Sequence, residues 1–162
     1  MPKVGDIVVY PMHGAGVIEN VEECEIMGEH KSYYVLKLPM GSMKVMIPVD
    51  NADNIGLREV IGEKELEEVV SVLKGKPDKA VGSWNKRFQS NLDRMKTGDL
   101  KEVAKVARNL IKQDKDKRIS SGEKRLMDLS KQILVTELVY AAHKNIEETE
   151  KWLDEIMTAK GK

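Results

Sequence analysis

Residues 7–16 read Ile-Val-Val-Tyr-Pro-Met-His-Gly-Ala-Gly, and this stretch predicts how the fold begins. The first four residues are β-branched or aromatic, which favours a strand. Pro11 ends that strand because its nitrogen cannot donate to a sheet. The segment from Pro11 to Gly16 is predicted to be a turn, since glycines tolerate positive φ angles. The chain therefore opens with a strand and a reversal, as a small antiparallel sheet does.

Three more strand-like stretches follow this turn, at residues 17–22, 32–38 and 43–48. Glycine or proline separates each stretch from the next, and the spacing is nearly regular. Short strands joined in this way predict a small, strongly bent β-barrel. About sixty residues make a marginal hydrophobic core, so this barrel is expected to pack against the part of the chain that follows it.

Beyond residue 62 the apolar residues recur with a helical period of about 3.6. Helix N-caps are predicted at Ser83, Asp99 and Ser120, and Glu123 completes a capping box with the last of these. We predict an α+β chain, with a β-barrel domain at residues 1–62 and a compact all-helical domain of four to five helices at residues 63–162.

Two connections in the helical half are less defined by the pattern. The charged run at residues 114–118 is expected to be an exposed connection between the third and fourth helices. Residues 146–157 form a last amphipathic stretch. This stretch either continues the fourth helix or folds back near Asn145.

The composition indicates a soluble, folded protein, with 41% hydrophobic, 33% charged and 4% aromatic residues. No apolar stretch approaches the roughly 18 to 20 residues of a membrane helix. The N-terminal residues lack the apolar run of a signal peptide. We therefore expect a cytoplasmic protein that has no membrane partner.

The net charge of zero conceals two oppositely charged halves. Residues 1–73 hold 6 Lys and Arg against 13 Asp and Glu, whereas residues 74–162 hold 21 against 14. The net charges are therefore −7 and +7, and the positive excess is concentrated in residues 74–131. This asymmetry suggests two modules with different partners. The basic module either binds nucleic acid phosphates or presents an ordinary solvated surface rich in lysine, and charge alone does not decide between them.

No pattern in the sequence predicts an enzyme. Residues 13–16, His-Gly-Ala-Gly, are similar to the glycine-rich oxyanion segment of some esterases, but no Gly-x-Ser-x-Gly sequence follows to supply a nucleophile. Cys24 is the only cysteine, and the glutamates beside it disfavour a thiolate. One cysteine and three scattered histidines do not predict a zinc site. We expect no catalytic residue, no metal, no cofactor and no small-molecule substrate.

Several motifs, in their order and spacing, resemble the CarD family of bacterial transcription regulators. In the first half the resemblance rests on residues 4–16, 33–36 and 56–60. The same module is similar to the polymerase-binding domain of transcription-repair coupling factors. In the second half it rests on Trp84-Asn85-Lys86-Arg87-Phe88, on Gly98-Asp99 and on residues 106–110 and 121–125.

This resemblance implies an accessory factor of bacterial RNA polymerase without enzymatic activity. A Tudor/SH3-like barrel would bind the polymerase β subunit. The helical domain would bind promoter DNA at the upstream edge of the melted region, largely without reading sequence. The protein would stabilise the open complex, at ribosomal RNA promoters among others, and would associate with the nucleoid through the polymerase.

The resemblance also implies that Trp84 is a wedge in the minor groove. From spacing alone, Trp84 is instead a core residue that begins an apolar stripe with Phe88, Leu92 and Met95, and this alternative stays open. Four basic residues are candidates for phosphate contacts: Lys86 and Arg87 within a turn of Trp84, and Lys124 and Arg125 in the first turn of the fourth helix. Each of these, like Arg108, has an ordinary alternative as a solvated charge or a salt bridge within the bundle.

For polymerase docking the candidates are Lys44, Met46, Cys24 and Ile26. By alternation Lys44 and Met46 share one face of a strand, opposite Met43, Val45 and Ile47. A strand at the edge of a sheet can pair with a strand of a partner. Some family members carry basic residues on these strands, so apolar contact and backbone pairing are expected to contribute more here. A competing hypothesis is a protein adaptor whose basic helices bind an acidic protein and not DNA.

Overall fold

A computed structural model describes residues 2–40, 43–52, 54–78 and 82–158, and the side chain of Ile26 lies outside the description. The N-terminal part is a four-stranded antiparallel sheet in the order β1-β2-β3-β4. Its strands are β1 (Ile7–Tyr10), β2 (Gly14–Ile26), β3 (Glu29–Lys37) and β4 (Lys44–Pro48), followed by a short 3-10 turn at Val49–Asn51. The sheet is consistent with a Tudor-like β domain, which confirms the first half of the predicted α+β architecture.

Five helices follow the sheet, and they confirm the second half of that architecture. They are α1 (Glu63–Lys74), α2 (Trp84–Lys96), α3 (Leu100–Asp116), α4 (Ser121–Ala141) and α5 (Ile146–Thr158). The predicted N-caps are all confirmed, since the side chains of Ser83, Asp99 and Ser120 each accept a hydrogen bond from the first turn of their helix. Glu123 completes the capping box with Ser120.

The second strand differs from its prediction in length and in where it starts. The turn comprises only Pro11–His13, and Gly14 and Gly16 lie inside β2, so the prediction of a turn up to Gly16 was wrong in its second half. Gly16 lies against the backbone carbonyl of Lys37, where a β-carbon would not fit. Gly16 therefore serves close packing within the sheet. The register of β2 shifts between Ile18 and Asn20, and this bulge bends the long strand.

The helix ends correct one prediction and decide another. Helix α3 runs to Asp116, so residues 114–116 belong to the helix and only the last two residues of the charged run lie in the connection. Helix α4 ends at Ala141 and α5 folds back. Asn145 and Glu148 exchange hydrogen bonds of 3.0 and 2.8 Å between backbone N–H groups and side-chain oxygens, which fixes the start of α5.

The buried apolar residues form two clusters, one in the sheet and one among the helices. The sheet cluster includes Ile18, Leu36 and Ile47, all fully buried. The helical cluster draws on all the helices and also takes in Ile61, which precedes α1. Helix α4 packs on β2, where Gly14 lies against Thr136 and the N–H of Ala15 donates to the Thr136 hydroxyl at 3.0 Å. The sheet therefore packs closely against the helices.

Gly14→Ala should destabilise the protein by about 3 kcal/mol, from backbone strain and from the displaced Thr136. Gly14 has a φ of +117°, and an added β-carbon would clash with the Thr136 hydroxyl. Gly28→Ala is the matched control, because Gly28 has a φ of +80° but open space around it. That control should cost about 1–2 kcal/mol. Urea unfolding measures both, and equal losses would contradict the close approach of sheet and helix.

Candidate nucleic-acid interface

The N-termini of α2 and α4 lie side by side, and Trp84 joins them. Trp84 is the first residue of α2, and its indole N–H donates to the hydroxyl of Ser120, the N-cap of α4, at 3.0 Å. The indole stacks on Phe88 one turn later, with ring centroids 5.2 Å apart and planes 12° from parallel. Gly122 lies beside both rings, and an added β-carbon there would be 3.7 Å from each of them, at ordinary van der Waals distance. One polar contact and one stacking contact therefore hold the ring in place.

The side of Trp84 that these contacts leave open faces solvent. The residue is 41% exposed, whereas Met95 at the other end of the predicted stripe is fully buried and Phe88 and Leu92 are half-buried. Trp84 is therefore a rim residue of the helical cluster and not a core residue. An aromatic ring that is already fixed and half-exposed loses little additional conformational entropy when it stacks on another ring.

Arg87 is less accessible than its predicted role requires. Its guanidinium lies 3.9 Å from the carboxylate of Glu123, and the two side chains are 24% and 2% exposed. The same carboxylate accepts from the N–H and hydroxyl of Ser120, at 3.4 and 3.3 Å. A continuous polar network thus links Trp84, Ser120, Glu123 and Arg87. Arg87 neutralises a buried carboxylate beneath the tryptophan, which reduces its availability for phosphate.

Lys86 near the start of α2, and Lys124 and Arg125 near the start of α4, are exposed, and none has a salt-bridge partner among the residues that the structure describes. Lys124 and Arg125 are the fourth and fifth residues of α4, one step beyond the first turn in which they were predicted. The Glu123 carboxylate occupies the N-terminus of α4 through the capping box, so the helix end contributes less to phosphate binding than was expected. The attraction for phosphate therefore comes from the three side chains.

Arg108 forms the salt bridge within the bundle that its alternative proposed. It is 6% exposed, and its guanidinium contacts Asp78 at 3.3 Å and the carbonyl of Val72 at 3.1 Å. Asp78 also pairs with Arg94 at 3.1 Å. The side-chain amide of Asn109, which donates to Asp78, and the hydrogen bond from Arg94 hold the pKa of Asp78 below its ordinary value, against the effect of partial burial. Ionised Asp78 thus neutralises two arginines, Arg94 and Arg108, which makes them less available for phosphate than the unpaired basic residues.

Three of the predicted polymerase-docking residues lie on one face of the sheet, two of them on β4 and one on β2. Met46 pairs with Val35, Lys44 with Lys37 and Cys24 with Lys31, and these alternate residues of β3 share a face. Met46 is 42% exposed, Lys44 is exposed and contacts Glu19 at 3.0 Å, and Cys24 is half-buried. Ile26 lies at the end of the β2–β3 hairpin, beyond the reach of β4, and its side chain lies outside the described residues.

The β4 strand has an open edge that a partner strand could join. Within the described residues it pairs with β3 alone, so its outer edge carries unpaired N–H and carbonyl groups. Val45 and Ile47 point inward and Met46 and Lys44 outward, as the alternation predicted. The sheet therefore offers an edge together with one exposed apolar side chain.

No cluster of metal-ligating side chains is found in the parts of the chain that are described. Across residues 2–40, 43–52, 54–78 and 82–158, no three histidine, cysteine, aspartate or glutamate side chains lie close enough to hold a metal ion. No helix within these ranges has the length and apolar character needed to cross a bilayer. His13 stacks on Tyr10 and contacts the carbonyl of Pro11, so the turn accounts for this residue.

Sequence reasoning missed the residues that hold the tryptophan. Ser120 was predicted as a helix cap, but its contact with Trp84 bridges 36 residues, and no local pattern indicates it. Glu123 was predicted for the capping box only, and its pairing with Arg87 depends on how α2 and α4 pack. The side-by-side arrangement of two capped helix starts is a tertiary feature that periodicity does not contain.

Comparisons with known proteins match both parts of the chain. Residues 3–61 match the family described as the CarD-like/TRCF RID domain, and residues 68–154 match the CarD C-terminal domain. The chain is 36% identical over 139 residues to YdeB of Bacillus subtilis (strain 168), named as a proposed transcription factor, over 85% of this chain and 90% of that one. The solved structure of CdnLNt from Myxococcus xanthus is 40% identical and covers 39% of this chain and 89% of that one, with a TM-score of 0.34.

Trp84→Ala should leave the protein folded and reduce its free energy of unfolding by about 1–2 kcal/mol. Replacing a fully buried aromatic residue by alanine costs more, about 3–5 kcal/mol. The indole is half-exposed, so little cavity forms when it is removed. Leu134→Ala is the control, since Leu134 is fully buried and its loss should cost about 2–5 kcal/mol. Circular dichroism during thermal unfolding compares the two. A loss for Trp84→Ala equal to that of the control would restore the interpretation as a core residue.

Proposed function

The chain belongs to the CarD family of transcription regulators, and on this premise we propose that it binds bacterial RNA polymerase and promoter DNA together and stabilises the open complex. In this proposal residues 1–62 form a domain that binds the polymerase β subunit. Residues 63–162 form a domain that contacts DNA at the upstream edge of the melted region, at ribosomal RNA promoters among others. The protein would then be found at the nucleoid because the polymerase is there.

The observation that carries the proposal is the half-exposed Trp84, held by Ser120 and Phe88 where the N-termini of α2 and α4 meet. Exposed basic residues lie on the first two turns of these same helices. Lys86, Lys124 and Arg125 would neutralise phosphates on either side of the ring without reading bases. The indole would enter the minor groove where base steps are already unstacked, since opening an intact step costs a few kcal/mol. Stacking on an exposed base would return roughly 1–3 kcal/mol. Such a contact favours melted DNA over duplex.

The charge of the two halves supports the division of labour. An acidic sheet is repelled by DNA, which suits it to a protein partner, whereas the basic helices attract phosphates. On the sheet, the outer edge of β4 and the exposed Met46 would meet the polymerase through backbone pairing and apolar contact. The hairpin end with Cys24 and Ile26 would extend that contact, and Lys44 would lie at its margin beside Glu19.

Reversal of a basic residue beside Trp84 should weaken binding to all DNA sequences alike. The slope of log affinity against log salt concentration is negative for a DNA-binding protein. Lys86→Glu and Lys124→Glu should each make it less steep by about one, because one phosphate contact is lost. Lys64→Glu is the matched control: Lys64 is exposed on α1, away from the tryptophan, and should change the slope little. Fluorescence anisotropy with forked DNA at several salt concentrations measures the slope.

Two results would overturn this assignment. A change in sequence preference on reversal of Lys86 or Lys124 would mean that the residue contacts base edges. Absence of salt-dependent DNA binding by the unaltered protein would favour the competing hypothesis, an adaptor whose basic helices bind an acidic protein.

Open-complex lifetime, measured as a function of protein concentration, separates the two proposed contacts. Trp84→Ala should lower the lifetime reached at saturation by about five-fold or more, with Trp84→Phe between, because only the stacking contact is lost. Met46→Glu should raise the concentration needed for half the effect and leave the saturating lifetime unchanged, since it weakens docking alone. The measurement uses competitor-challenged complexes on a ribosomal RNA promoter. A folded Trp84→Ala protein that still gives the full lifetime would rule out the wedge.

A further inference from the structure

Arg58 and Glu137 form a two-pronged ion pair where the sheet meets the helices. The two terminal nitrogens of Arg58 donate to the two carboxylate oxygens of Glu137, each at 2.7 Å. The Glu137 side chain is fully buried, and that of Arg58 is 28% exposed. One carboxylate oxygen also accepts the backbone N–H of Ile61 at 2.9 Å. A buried carboxylate with three good donors has a single geometry, because each donor fixes a direction.

Arg58 connects three elements at once. Its backbone pairs with Val9 of β1, through hydrogen bonds of 2.7 and 3.2 Å. Its two terminal nitrogens hold Glu137 on α4. Its remaining guanidinium nitrogen donates to the carbonyl of Gly98 at 2.7 Å, just beyond the C-terminal end of α2. One side chain therefore ties the sheet to both helices whose N-termini carry the tryptophan site.

A second set of contacts lies beside this pair. Pro11, in the turn after β1, packs on Gly98. The φ of Gly98 is +76°, which a residue with a side chain adopts only with strain, and an added β-carbon would lie 3.3 Å from Pro11. The Ala15 N–H donates to Thr136, the residue next to Glu137. The junction thus grips the far end of α2 from two sides, at Arg58 and at Pro11.

The position of this grip makes small changes of angle matter at Trp84. Helix α2 has 13 residues, and Trp84 lies at the opposite end from Gly98. At 1.5 Å per residue the helix is about 20 Å long, so a tilt of about 10° at Gly98 would displace Trp84 by about 3 Å. A base step is about as thick as that displacement, since stacked bases are spaced about 3.4 Å apart along each strand.

We propose that Arg58 and Glu137 are positioning residues, which hold α2 and its tryptophan at a fixed place relative to the sheet. This inference rests on the proposed function, in which the sheet is docked on the polymerase and Trp84 meets the edge of the melted DNA. The pair touches neither partner. Because it fixes α2 relative to the sheet, the position at which the sheet docks determines where the tryptophan meets the DNA.

The test measures the distance between sheet and helix directly, in the full-length protein. Spin labels are attached to cysteines introduced by Glu23→Cys on β2 and Asn85→Cys at the start of α2, in a Cys24→Ser background. The distance between the two labels is measured by pulsed electron paramagnetic resonance. Both positions are exposed. Arg58→Lys keeps the positive charge and loses the two-pronged grip and the bond to Gly98. The distance distribution should be narrow in the parent and clearly broader or shifted in Arg58→Lys, and an unchanged distribution overturns the proposal.

The functional arm uses the same variant without labels. Arg58→Lys should bind polymerase and forked DNA separately, with affinities within about two-fold of the parent. Arg58 contacts neither partner in the proposed function, and residues that share no contacts couple only weakly. It should nevertheless lose open-complex lifetime by about five-fold or more, as Trp84→Ala does. A full lifetime in a variant whose distance distribution has broadened would also overturn the positioning role.

Two controls separate positioning from stability and from the proposed function. Ile156→Val trims a buried residue of α5, away from the junction, and should lower the melting temperature with no change in distance or lifetime. If Arg58→Lys does not fold, Glu137→Gln replaces it, because the amide keeps the shape and loses the charge. If the parent protein itself does not lengthen the lifetime, the proposed function fails, and the distance distribution alone decides whether the pair positions α2.

Discussion

The fully buried carboxylate of Glu137 is the constraint on which the arrangement of sheet and helices depends. Apolar packing alone does not set that arrangement, since the sheet and the helices each have their own cluster of buried residues. Apolar contact is not directional, so hydrogen bonds and ion pairs specify the relative orientation of the two clusters more sharply than their apolar contacts do. A carboxylate with donors from Arg58 and the Ile61 backbone cannot slide, because any shift leaves a buried charge without its partners. The polar junction thus supplies orientation, while the apolar clusters supply most of the stability.

The tryptophan site shows the same economy at the opposite end of α2. Ser120 caps α4 and also accepts the Trp84 indole N–H, so one hydroxyl fixes both a helix start and an exposed aromatic ring. Glu123 fills the rest of the cap, and Arg87 lies over its carboxylate. Among the described residues, one Glu123 carboxylate oxygen and the Arg87 Nε accept or donate no hydrogen bond, so charge pairing alone joins these two side chains. Lys86, Lys124 and Arg125 remain on the surface. A rigid aromatic ring with a basic rim is the arrangement expected for a protein that stacks on unpaired bases and grips the flanking phosphates.

Local signals in the sequence predicted much of the fold and half of the candidate site. The helical period and the caps at Ser83, Asp99 and Ser120 are short-range features, and each was found where it was predicted. The alternation in β4 likewise separated Met46 from Ile47. The failures have a common physical cause in long-range packing: Gly16 lies inside a strand because the backbone of β3 approaches it, and Arg87 turns inward because Glu123 comes from another helix. The pair of Arg58 and Glu137 spans 79 residues and leaves no local trace.

In the proposed function the zero net charge of the chain has a purpose that neither half shows alone. In this proposal the negative charge of the sheet opposes the attraction of the basic helices for duplex DNA. Docking of the sheet on the polymerase removes the need for a strong attraction, because a tethered helix domain meets the promoter at an effective concentration set by geometry, up to the millimolar range for short tethers. That gain exists only where the geometry allows both contacts at once. A flexible connection would spread the tryptophan over many positions, whereas the junction at Arg58 confines it to one. In this proposal the opposed charges of the two halves and the rigid junction act together, so that docking on the polymerase determines where the tryptophan meets the DNA.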